Sequence, residues 1–392
     1  MLKPFYIFLL VFPAFLSCET QEKKSSQLGE IKKASTIRLE ILDSVQIHLL
    51  GLPVIHDIDP KTETIIFTDD SPNSEEIQVA DFDGNIHASF SKLGDIPDGY
   101  GGLMSPLRID SDSSFLAYGY NGFLRYDFAG NLLSKVKHKD FEYYNFSNKT
   151  MGFGMEKLGN RYIYYNQGSG KVDYTSLESY KEMTLMNWLD PEKGEKEPFI
   201  SFPEGSLFRN GKHFFRDSWA PAYTSTDDRI YIVFGIEPVI YEFEAKPPYT
   251  LISSIPIELP NYRYFKGGDL KSTADFVGLF LTTGRIYNIK KIDDQFLVAY
   301  FPGYDAQDRE TSESNKTPEE AKLFRERMAK KYSNHIAVFD TLGNRLNDFI
   351  PKDLRANSML VRDGQIWMQE KPDPEVEKDY FTIYKVGLKD DN

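Results

Sequence analysis

The most ligand-like cluster in the sequence is His56-Asp57-Ile58-Asp59. A histidine beside two carboxylates can act as a base or hold a cation, because imidazole nitrogen and carboxylate oxygen are both common metal ligands. Short acidic segments of this kind are most often solvated turns, and we interpret this one as a turn before the first structural repeat. Asp69-Asp70 and Asp110-Ser111-Asp112 could offer oxygens to calcium, and we interpret them as hydrogen-bonding turns. We therefore predict no metal site and no cofactor.

A second set of candidates combines arginine with aromatic residues. Exposed aromatic rings stack on sugar faces, and guanidinium groups bind anions. We predict that a ligand in the central funnel of the fold would contact six residues: Arg209, Arg216, Trp219, Tyr262, Arg263 and Tyr264. The alternative is that most of the aromatic rings pack between structural repeats.

Catalytic signatures are missing from the sequence. It contains no H-E-x-x-H, G-x-S-x-G, P-loop or C-x-x-C motif, and each of these would mark a particular chemistry. The six histidines are scattered, with no pair at metal-ligand spacing. Cys18 is the only cysteine, so an intramolecular disulfide and a thiolate metal site are excluded. These observations favour a protein that is not an enzyme.

The N-terminal segment has the pattern of a targeting signal. Lys3 precedes an apolar stretch at 5–16, which is too short to span a bilayer but suits a signal peptide. The residues Phe15-Leu16-Ser17-Cys18 resemble a bacterial lipobox, in which the cysteine is acylated and becomes the mature N-terminus. We predict a signal peptide at 1–17, lipid at Cys18 and a polar, flexible tether at 18–35. The alternative is a plain secretory signal.

Composition limits the classes of partner and fold. The chain has 392 residues, a net charge of −13 and a pI near 5.1. This acidity argues against nucleic acid as a partner, because phosphate binding requires a basic face. Phe, Trp and Tyr make up 14% of the residues, and they fall in strand-like runs. This pattern favours an all-β protein.

A repeated turn organises the rest of the chain. The pattern D-x-x-G-N follows an apolar run at 81–85, 127–131 and 340–344, and a looser copy lies at 190–195. A short link between antiparallel strands needs a positive φ near its end, which glycine adopts readily, and aspartate can bond nearby backbone N–H groups. The three copies predict a repeated β-hairpin.

Six units of similar design follow one another. Each opens with a polar turn and an aromatic or aliphatic strand, near residues 63, 113, 159, 227, 293 and 362. A second strand follows in each unit, at 77–80, 123–126, 185–189, 239–243, 335–339 and 380–386. Intervals of about 45 to 70 residues are typical of four-stranded propeller blades. The sequence therefore predicts one six-bladed β-propeller over residues 36–392.

The segment 77–106 resembles the bacterial six-bladed β-propeller lipoproteins, which include families of unknown function. Their repeats join a hairpin of this D-x-x-G-N type to a Gly- and Pro-rich connector, and the residues GDIPDGYGG at 94–102 are similar to that connector. The resemblance extends over about residues 36–388. It implies the fold, and it implies no particular activity because no catalytic motif comes with it.

The two ends of the propeller are predicted to meet in one blade. The last unit, 365–388, offers only two or three strands, and N-terminal strands at 36–41 and 45–50 could complete it and remove its open edge. An insertion at 305–333 in the fifth blade is predicted to contain a short helix, because Thr317 is a capping hydroxyl followed by Pro318. We interpret this helix as packed on its own blade; the alternative is a lid or a partner-binding element.

These features predict a lipid-anchored propeller in the cell envelope, outside the cytoplasm, on the outer membrane or a periplasmic or surface face. We expect a non-catalytic binding or scaffold module for a glycan, a peptide or an envelope protein. The alternatives are a glycan-active hydrolase or lyase with its site in the funnel, and a structural subunit that uses the insertion. Carboxylates about 5 to 10 Å apart in the funnel would favour hydrolysis, whereas an exposed apolar helix would favour binding or assembly.

Overall fold

The computed structural model describes residues 37–51, 53–69, 76–138, 151–166, 173, 175–313, 316–373, 376 and 378–390. Within this part of the chain, 24 strands form six antiparallel sheets of four strands each. The first strands of most neighbouring sheets are in contact with one another. The protein is therefore a six-bladed β-propeller, as the repeat predicts.

The strands of blades 1 to 3 are β2 (Pro53–Asp59), β3 (Thr64–Asp69), β4 (Glu76–Asp81), β5 (Ile86–Ser91), β6 (Arg108–Ser111), β7 (Ser114–Gly119), β8 (Gly122–Asp127), β9 (Leu132–Val136), β10 (Glu156–Leu158), β11 (Arg161–Tyr165), β12 (Thr184–Asp190) and β13 (Glu195–Ser201). The strands of blades 4 to 6 are β14 (Pro221–Ser225), β15 (Arg229–Phe234), β16 (Val239–Glu244), β17 (Leu251–Pro256), β18 (Arg285–Ile292), β19 (Gln295–Phe301), β20 (His335–Asp340), β21 (Arg345–Phe349), β22 (Leu360–Arg362), β23 (Gln365–Gln369), β24 (Tyr380–Asp390) and β1 (Ile37–His48). The second strand predicted for each unit is the third strand of its blade.

The three D-x-x-G-N segments make the same turn between the third and fourth strands. Asp81 Oδ1 accepts a hydrogen bond from the Asn85 backbone N–H (2.8 Å), and Oδ2 accepts one from the Asn85 side-chain amide (3.1 Å). The equivalent bonds to Asp127 and Asp340 are all 2.8 Å long. Gly84 has a φ of +85°, and the matching glycines of the other two turns have +84°. The turn therefore needs both the aspartate and the glycine.

Replacing Gly84 by alanine should destabilise the protein more than the same change at Gly159. Both glycines have positive φ, so alanine adds backbone strain of about 1 kcal/mol at either position. At Gly84 the new Cβ would also lie 2.2 Å from the backbone oxygen of Gln46, whereas at Gly159 it would meet no described atom within 4 Å. We expect urea unfolding to show a loss of about 3 kcal/mol or more for Gly84→Ala. Equal midpoints for the two variants would contradict this turn geometry.

The ring is closed by β1, which is the outer strand of blade 6. It pairs antiparallel with β24 along its whole length, so the N- and C-terminal strands share one sheet, as predicted. The two separate strands predicted at 36–41 and 45–50 are instead one strand, because β1 continues through the intervening residues with a register shift between Ile41 and Asp43. A bulge of this kind bends a strand without ending it.

Neighbouring strands of a blade run in opposite directions, so the connections between strands lie on two opposite faces of the propeller. Links between the second and third strands of a blade, and links between blades, lie on what we call the upper face; the remaining turns lie on the lower face. The described α-helices are all on the upper face: α1 (Ser179–Glu182), α2 (Phe276–Thr282), α3 (Ala306–Glu313) and α4 (Pro318–Lys331). The last two form the predicted insertion of blade 5, and Thr317 caps α4 in a capping box. None of the helices in the described part of the chain has the length and apolar character of a membrane span.

The hydrophobic core is divided among the gaps between blades. Six clusters of buried apolar side chains each combine residues of two adjacent blades. Aromatic rings fill these gaps; Tyr231 and Phe296, for example, lie edge to face between blades 4 and 5, with ring centroids 5.0 Å apart. The high aromatic content therefore serves mainly to hold neighbouring blades together.

Candidate functional site

Charged side chains from three inner strands meet in the central channel. Asp57 of β2 is fully buried. Its carboxylate accepts hydrogen bonds from the Arg108 side chain of β6 (3.2 Å) and from the backbone N–H of Ile109 (2.9 Å). Arg362 of β22 donates to it from Nε (3.3 Å) and from Nη2. Two buried ion pairs therefore join blades 6, 1 and 2.

The interpretation of His56-Asp57-Ile58-Asp59 as a solvated turn is wrong. These residues form the second half of β2, and His56 is fully buried. His56 Nδ1 accepts a hydrogen bond from the Leu107 backbone N–H (3.1 Å), and Nε2 lies 2.9 Å from the Thr68 hydroxyl. Polar residues occupy this strand because partners in the next strand and the next blade satisfy their hydrogen bonds.

A third ion pair joins two other blades across the channel. Lys290 of β18 is buried, and its Nζ lies 2.7 Å from a carboxylate oxygen of Glu156 in β10. Ser225 donates a hydrogen bond to the same carboxylate (3.3 Å). Burial lowers the pKa of Lys290, although the charge of Glu156 acts in the opposite direction. This pair connects blades 3 and 5 across the channel.

Asp110, which we considered for calcium, is held by cations of the protein. Its carboxylate lies 3.2 Å from Lys157 Nζ and 2.8 Å from Arg125 Nε, and the Tyr162 hydroxyl donates to it. Burial raises the pKa of Asp110, but these three partners outweigh burial and lower it. Among the described residues, no three His, Cys, Asp or Glu side chains are grouped so that they could hold a metal ion.

Two cavities along the channel are small. The upper one has a volume of about 60 Å³ and is lined in part by tyrosines, including Tyr223 and Tyr287. The lower one has a volume of about 130 Å³, and Arg108 and Arg362 are among its lining residues. Pockets that bind small organic ligands usually have volumes of about 300–1,000 Å³. Each of these two cavities is therefore smaller than a typical ligand pocket.

The six residues predicted to bind a ligand lie on two neighbouring links of the upper face. Arg209, Arg216 and Trp219 belong to the link at 202–220 between blades 3 and 4. The residues Tyr262, Arg263 and Tyr264 belong to the link at 257–284 between blades 4 and 5. The backbone of the first link pairs with that of the second at His213 and Gly268. The structure therefore brings the two groups onto adjacent parts of one surface.

The first group is only partly accessible. Trp219 is fully buried in the core between blades 3 and 4, so its ring packs between repeats rather than facing solvent. Arg209 is half-buried and donates to the Phe202 carbonyl (3.3 Å). Arg216 is exposed, and its Nε lies 3.8 Å from Asp217.

The second group forms a partly exposed aromatic pair beside a guanidinium. The rings of Tyr262 and Tyr264 stack with centroids 5.3 Å apart, and the Tyr262 hydroxyl donates to the Ile236 carbonyl (3.0 Å). Arg263 is exposed and donates to the backbone carbonyl of Asn261 (3.1 Å). Carbonyl oxygens do not neutralise a guanidinium, so its charge remains directed at the surface.

Glu237 fastens the 202–220 link to blade 4. It is buried, and its carboxylate accepts hydrogen bonds from the Ser206 hydroxyl (2.8 Å), the Leu207 backbone N–H (2.6 Å) and the Tyr241 hydroxyl (2.8 Å). Burial raises the pKa of Glu237, although the three hydrogen bonds act in the opposite direction. The folded protein therefore favours the protonated form more than the unfolded chain does.

Glu237→Gln should remove a pH-dependent loss of stability. Between the ordinary glutamate pKa of 4.5 and the raised value, the folded protein binds more protons than the unfolded chain, so the free energy of unfolding falls as pH rises. Glutamine can keep all three contacts, since its oxygen can accept from Leu207 and Tyr241 and its amide can donate to Ser206. We expect the free energy of unfolding of the variant, relative to that of the wild type, to increase from pH 4.5 to 7. Urea unfolding at a series of pH values measures it. Glu244→Gln, at an exposed position, is the control; the same pH trend in both variants would contradict the assignment.

Helix α2 is capped at its N-terminus and is attached to the propeller by one apolar residue and by its C-terminus. Asp275 caps the N-terminus by accepting a hydrogen bond from the Gly278 backbone N–H (3.0 Å). Leu279 packs against the core between blades 3 and 4. At the C-terminus, the Thr282 carbonyl accepts a hydrogen bond from the Tyr304 backbone N–H (2.8 Å). The helix is therefore fixed between two links of the upper face.

The outward side of α2 is apolar. Four large apolar side chains on it are exposed, and we call them the apolar stripe: Phe276, Val277, Phe280 and Leu281. The most exposed are Val277 at 52% and Leu281 at 57%. Residues spaced by four share one face of a helix, so the four form a continuous patch. A surface helix ordinarily turns its apolar side to the core, and here apolar residues also face solvent.

Arg285 lies beneath the apolar stripe. Its guanidinium stacks on the Phe280 ring, 3.7 Å from the ring centroid, and its Nη2 donates to the Tyr287 hydroxyl (2.8 Å). Its Nε and Nη1 are buried without a hydrogen-bond partner among the described residues. The aromatic ring faces this charge in place of an acceptor. Phe280 thereby holds α2 near the upper mouth of the channel, where Tyr287 lines the cavity.

The sequence carries only a weak signal for α2. The residues 276–281 are FVGLFL, which has no polar positions to distinguish the period of a helix from that of a strand. Asp275 is a suitable N-cap, but aspartate before an apolar run also begins many strands. Whether such a run is exposed depends on which distant links cover it, and that information is not local.

Several predicted features lie outside the described residues. They are the signal peptide at 1–17, the lipidation site Cys18, the tether at 18–35, and Asp70.

Solved structures resemble this chain in fold. A member of the DUF4221 family from Bacteroides vulgatus ATCC 8482 has a TM-score of 0.67 and 11% identity, over 91% of this chain and 100% of its own. A protein from Bacteroides fragilis NCTC 9343 has a TM-score of 0.52 and 9% identity, over 90% of this chain and 95% of its own. At these identities the likeness establishes the fold alone. The resemblance to uncharacterised bacterial six-bladed propellers is confirmed at that level.

Other comparisons give no further assignment. No protein-family model matches the sequence, and no curated protein matches it either. A gluconolactonase from Xanthomonas campestris has a TM-score of 0.41 and 10% identity over 90% of each chain, which is too distant to carry a conclusion about chemistry.

Proposed function

We propose that this protein is a lipid-anchored, extracytoplasmic binding module that makes its contact through the upper face around α2 and does not catalyse a reaction. The observation that carries the proposal is the apolar stripe. Clustered, exposed apolar side chains on a folded domain mark interaction sites, because leaving them in water forgoes the free energy of burial. Their position on one capped helix makes them a single surface.

The geometry of the channel supports the non-catalytic part of the proposal. Asp57, Asp110 and Glu156 are each matched by one or more cations of the protein. A glycoside hydrolase needs two carboxyl groups free to act as acid and base or nucleophile. The small volumes of the two channel cavities likewise favour binding at the upper face over a reaction in the funnel.

The sequence supports the location. The signal peptide predicted at 1–17 ends directly before Cys18, and lipid on that cysteine would tether the protein to a membrane without a spanning helix. An extracytoplasmic position is also consistent with a chain that has a single cysteine, at the predicted acylation site.

Site-specific photo-crosslinking in intact cells tests the proposal. A photoreactive residue at position 281 should form discrete adducts in the cell envelope. The control is position 342 on the lower face, where Leu342 is 78% exposed but stands alone in a turn. Adducts at 281 and none at 342 would support the proposal. The absence of adducts at 281, or the same adducts at both positions, would overturn it.

A further inference from the structure

We infer that the apolar stripe docks on an anionic lipid bilayer. The inference rests on the proposed function and names the partner of the same surface. The stripe supplies side chains that would enter the boundary between headgroups and acyl chains, which is how amphipathic helices bind membranes.

Basic residues border the stripe, although the chain as a whole carries a net charge of −13. Lys212, Lys266 and Lys271 are exposed, and none of them is ion-paired to a residue that the structure describes. Arg263 donates only to backbone carbonyls. We call these four residues the basic border. Their positive charges complement lipid phosphates, whose surface potential attracts Lys and Arg over about one Debye length.

The border lies close to the helix in the fold. Lys212 is in contact with the link that carries α2, since a Cβ built on Gly267 would lie 2.8 Å from the Lys212 Cβ. Lys271 is one turn before the helix, and the exposed Leu270 precedes it. The two nearby carboxylates are occupied by backbone N–H groups: Asp269 binds Ser272, and Asp275 binds Gly278. These two carboxylates keep their charge, but they form no ion pair with the basic border, so its four positive charges remain available at the surface beside the stripe.

A bilayer fits this arrangement better than a protein groove. An anionic membrane presents acyl chains to the stripe and phosphates on all sides of any inserted side chain, so one partner would satisfy both the apolar residues and the basic border. The two half-buried rings of Tyr262 and Tyr264 beside the stripe also suit the interface, where amphipathic aromatic rings concentrate.

The predicted anchor is compatible with this contact. The 18 residues from 19 to 36 separate Cys18 from β1, and an extended chain of that length reaches about 60 Å. β1 begins on the lower face and rises about 40 Å over its 12 residues. The tether is therefore long enough for the upper face to contact the membrane that holds the lipid.

Vesicle flotation tests the inference. The chain from Glu19 onward, which retains all described residues, is mixed with vesicles of phosphatidylglycerol and phosphatidylethanolamine or of phosphatidylcholine alone. We expect flotation with the anionic vesicles, weakening as salt is raised. The double variant Val277→Asp/Leu281→Asp should have an affinity for these vesicles at least about tenfold lower than that of the wild type. Leu342→Asp, the matched control on the lower face, should bind like the wild type.

The outcomes separate the inference from the proposed function. Wild-type chain that stays with the soluble fraction, or a double variant that binds as well as Leu342→Asp, would overturn the lipid inference. Protein adducts from position 281 together with no vesicle binding would leave the proposed function standing. Val277 and Leu281 are exposed, so we expect the variants to unfold at the same midpoint as the wild type. Equal midpoints would show that the variants lose vesicle binding and not folding.

Discussion

Asp57→Asn should lower the free energy of unfolding by about 3–5 kcal/mol. The substitution leaves Arg108 and Arg362 in the channel without the carboxylate that both of them contact. A buried cation that loses its only counter-charge keeps its desolvation penalty, and this explains why breaking such a pair costs more than the pair contributes. The substitution also replaces a charged acceptor of the Ile109 backbone N–H by a neutral one. The contact between blades 1 and 2 therefore becomes weaker.

The matched control is Asp363→Asn. Asp363 lies 2.6 Å from Lys61 in an exposed pair on the lower face, and exposed pairs contribute at most about 1 kcal/mol. Urea unfolding followed by the fluorescence of the three buried tryptophans measures both variants. Similar midpoints for Asp57→Asn and Asp363→Asn would show that the channel network does not hold the blades together.

A chain that starts at residue 49 should fail to fold, whereas one that starts at residue 35 should be as stable as the longer chain. The shorter chain lacks β1, whose buried residues Ile37, Val45 and Ile47 pack in blade 6. Losing these three side chains removes about 5 kcal/mol or more of burial free energy. It also leaves β24 as an open edge, which promotes aggregation.

Adding the missing strand as a separate peptide makes this prediction sharper. A peptide of residues 36–50 should bind the truncated chain by adding a strand to β24 and restore its circular dichroism and solubility. A scrambled peptide of the same composition is the control. A truncated chain that unfolds cooperatively at the wild-type midpoint would contradict the role given to β1.

The blades could be predicted because their signals are local. The aspartate, glycine and asparagine of each D-x-x-G-N turn act within five residues, and alternation along a strand needs only its own neighbours. Ring closure could be predicted because the last unit is short of strands. The bulge that makes β1 continuous could not, because it depends on the register with a strand more than 300 residues away.

The site could be predicted only in part. His56 and Asp57 have the composition of a turn, and most of the contacts that stabilise them come from residues 51 or more positions away, including Arg108 and Ile109. Tyr262 and Arg263 are neighbours in one link, so their place in one group of candidates could be predicted from the sequence, whereas the apolar stripe on α2 could not. The apolar stripe is notable because its side chains remain exposed in the folded protein. That exposure depends on how distant links pack in the assembled ring.

Hydrogen–deuterium exchange tests the central claim most directly, because it reports on every part of the chain at once. The chain from Glu19 onward is compared with and without anionic vesicles. Protection on binding should be confined to residues 262–285 and the adjoining segment at 207–216, while the lower-face turns at 82–85 and 341–344 exchange unchanged. Protection concentrated instead on the inner strands β10 and β14, with none on α2, would place the contact in the channel and contradict the account.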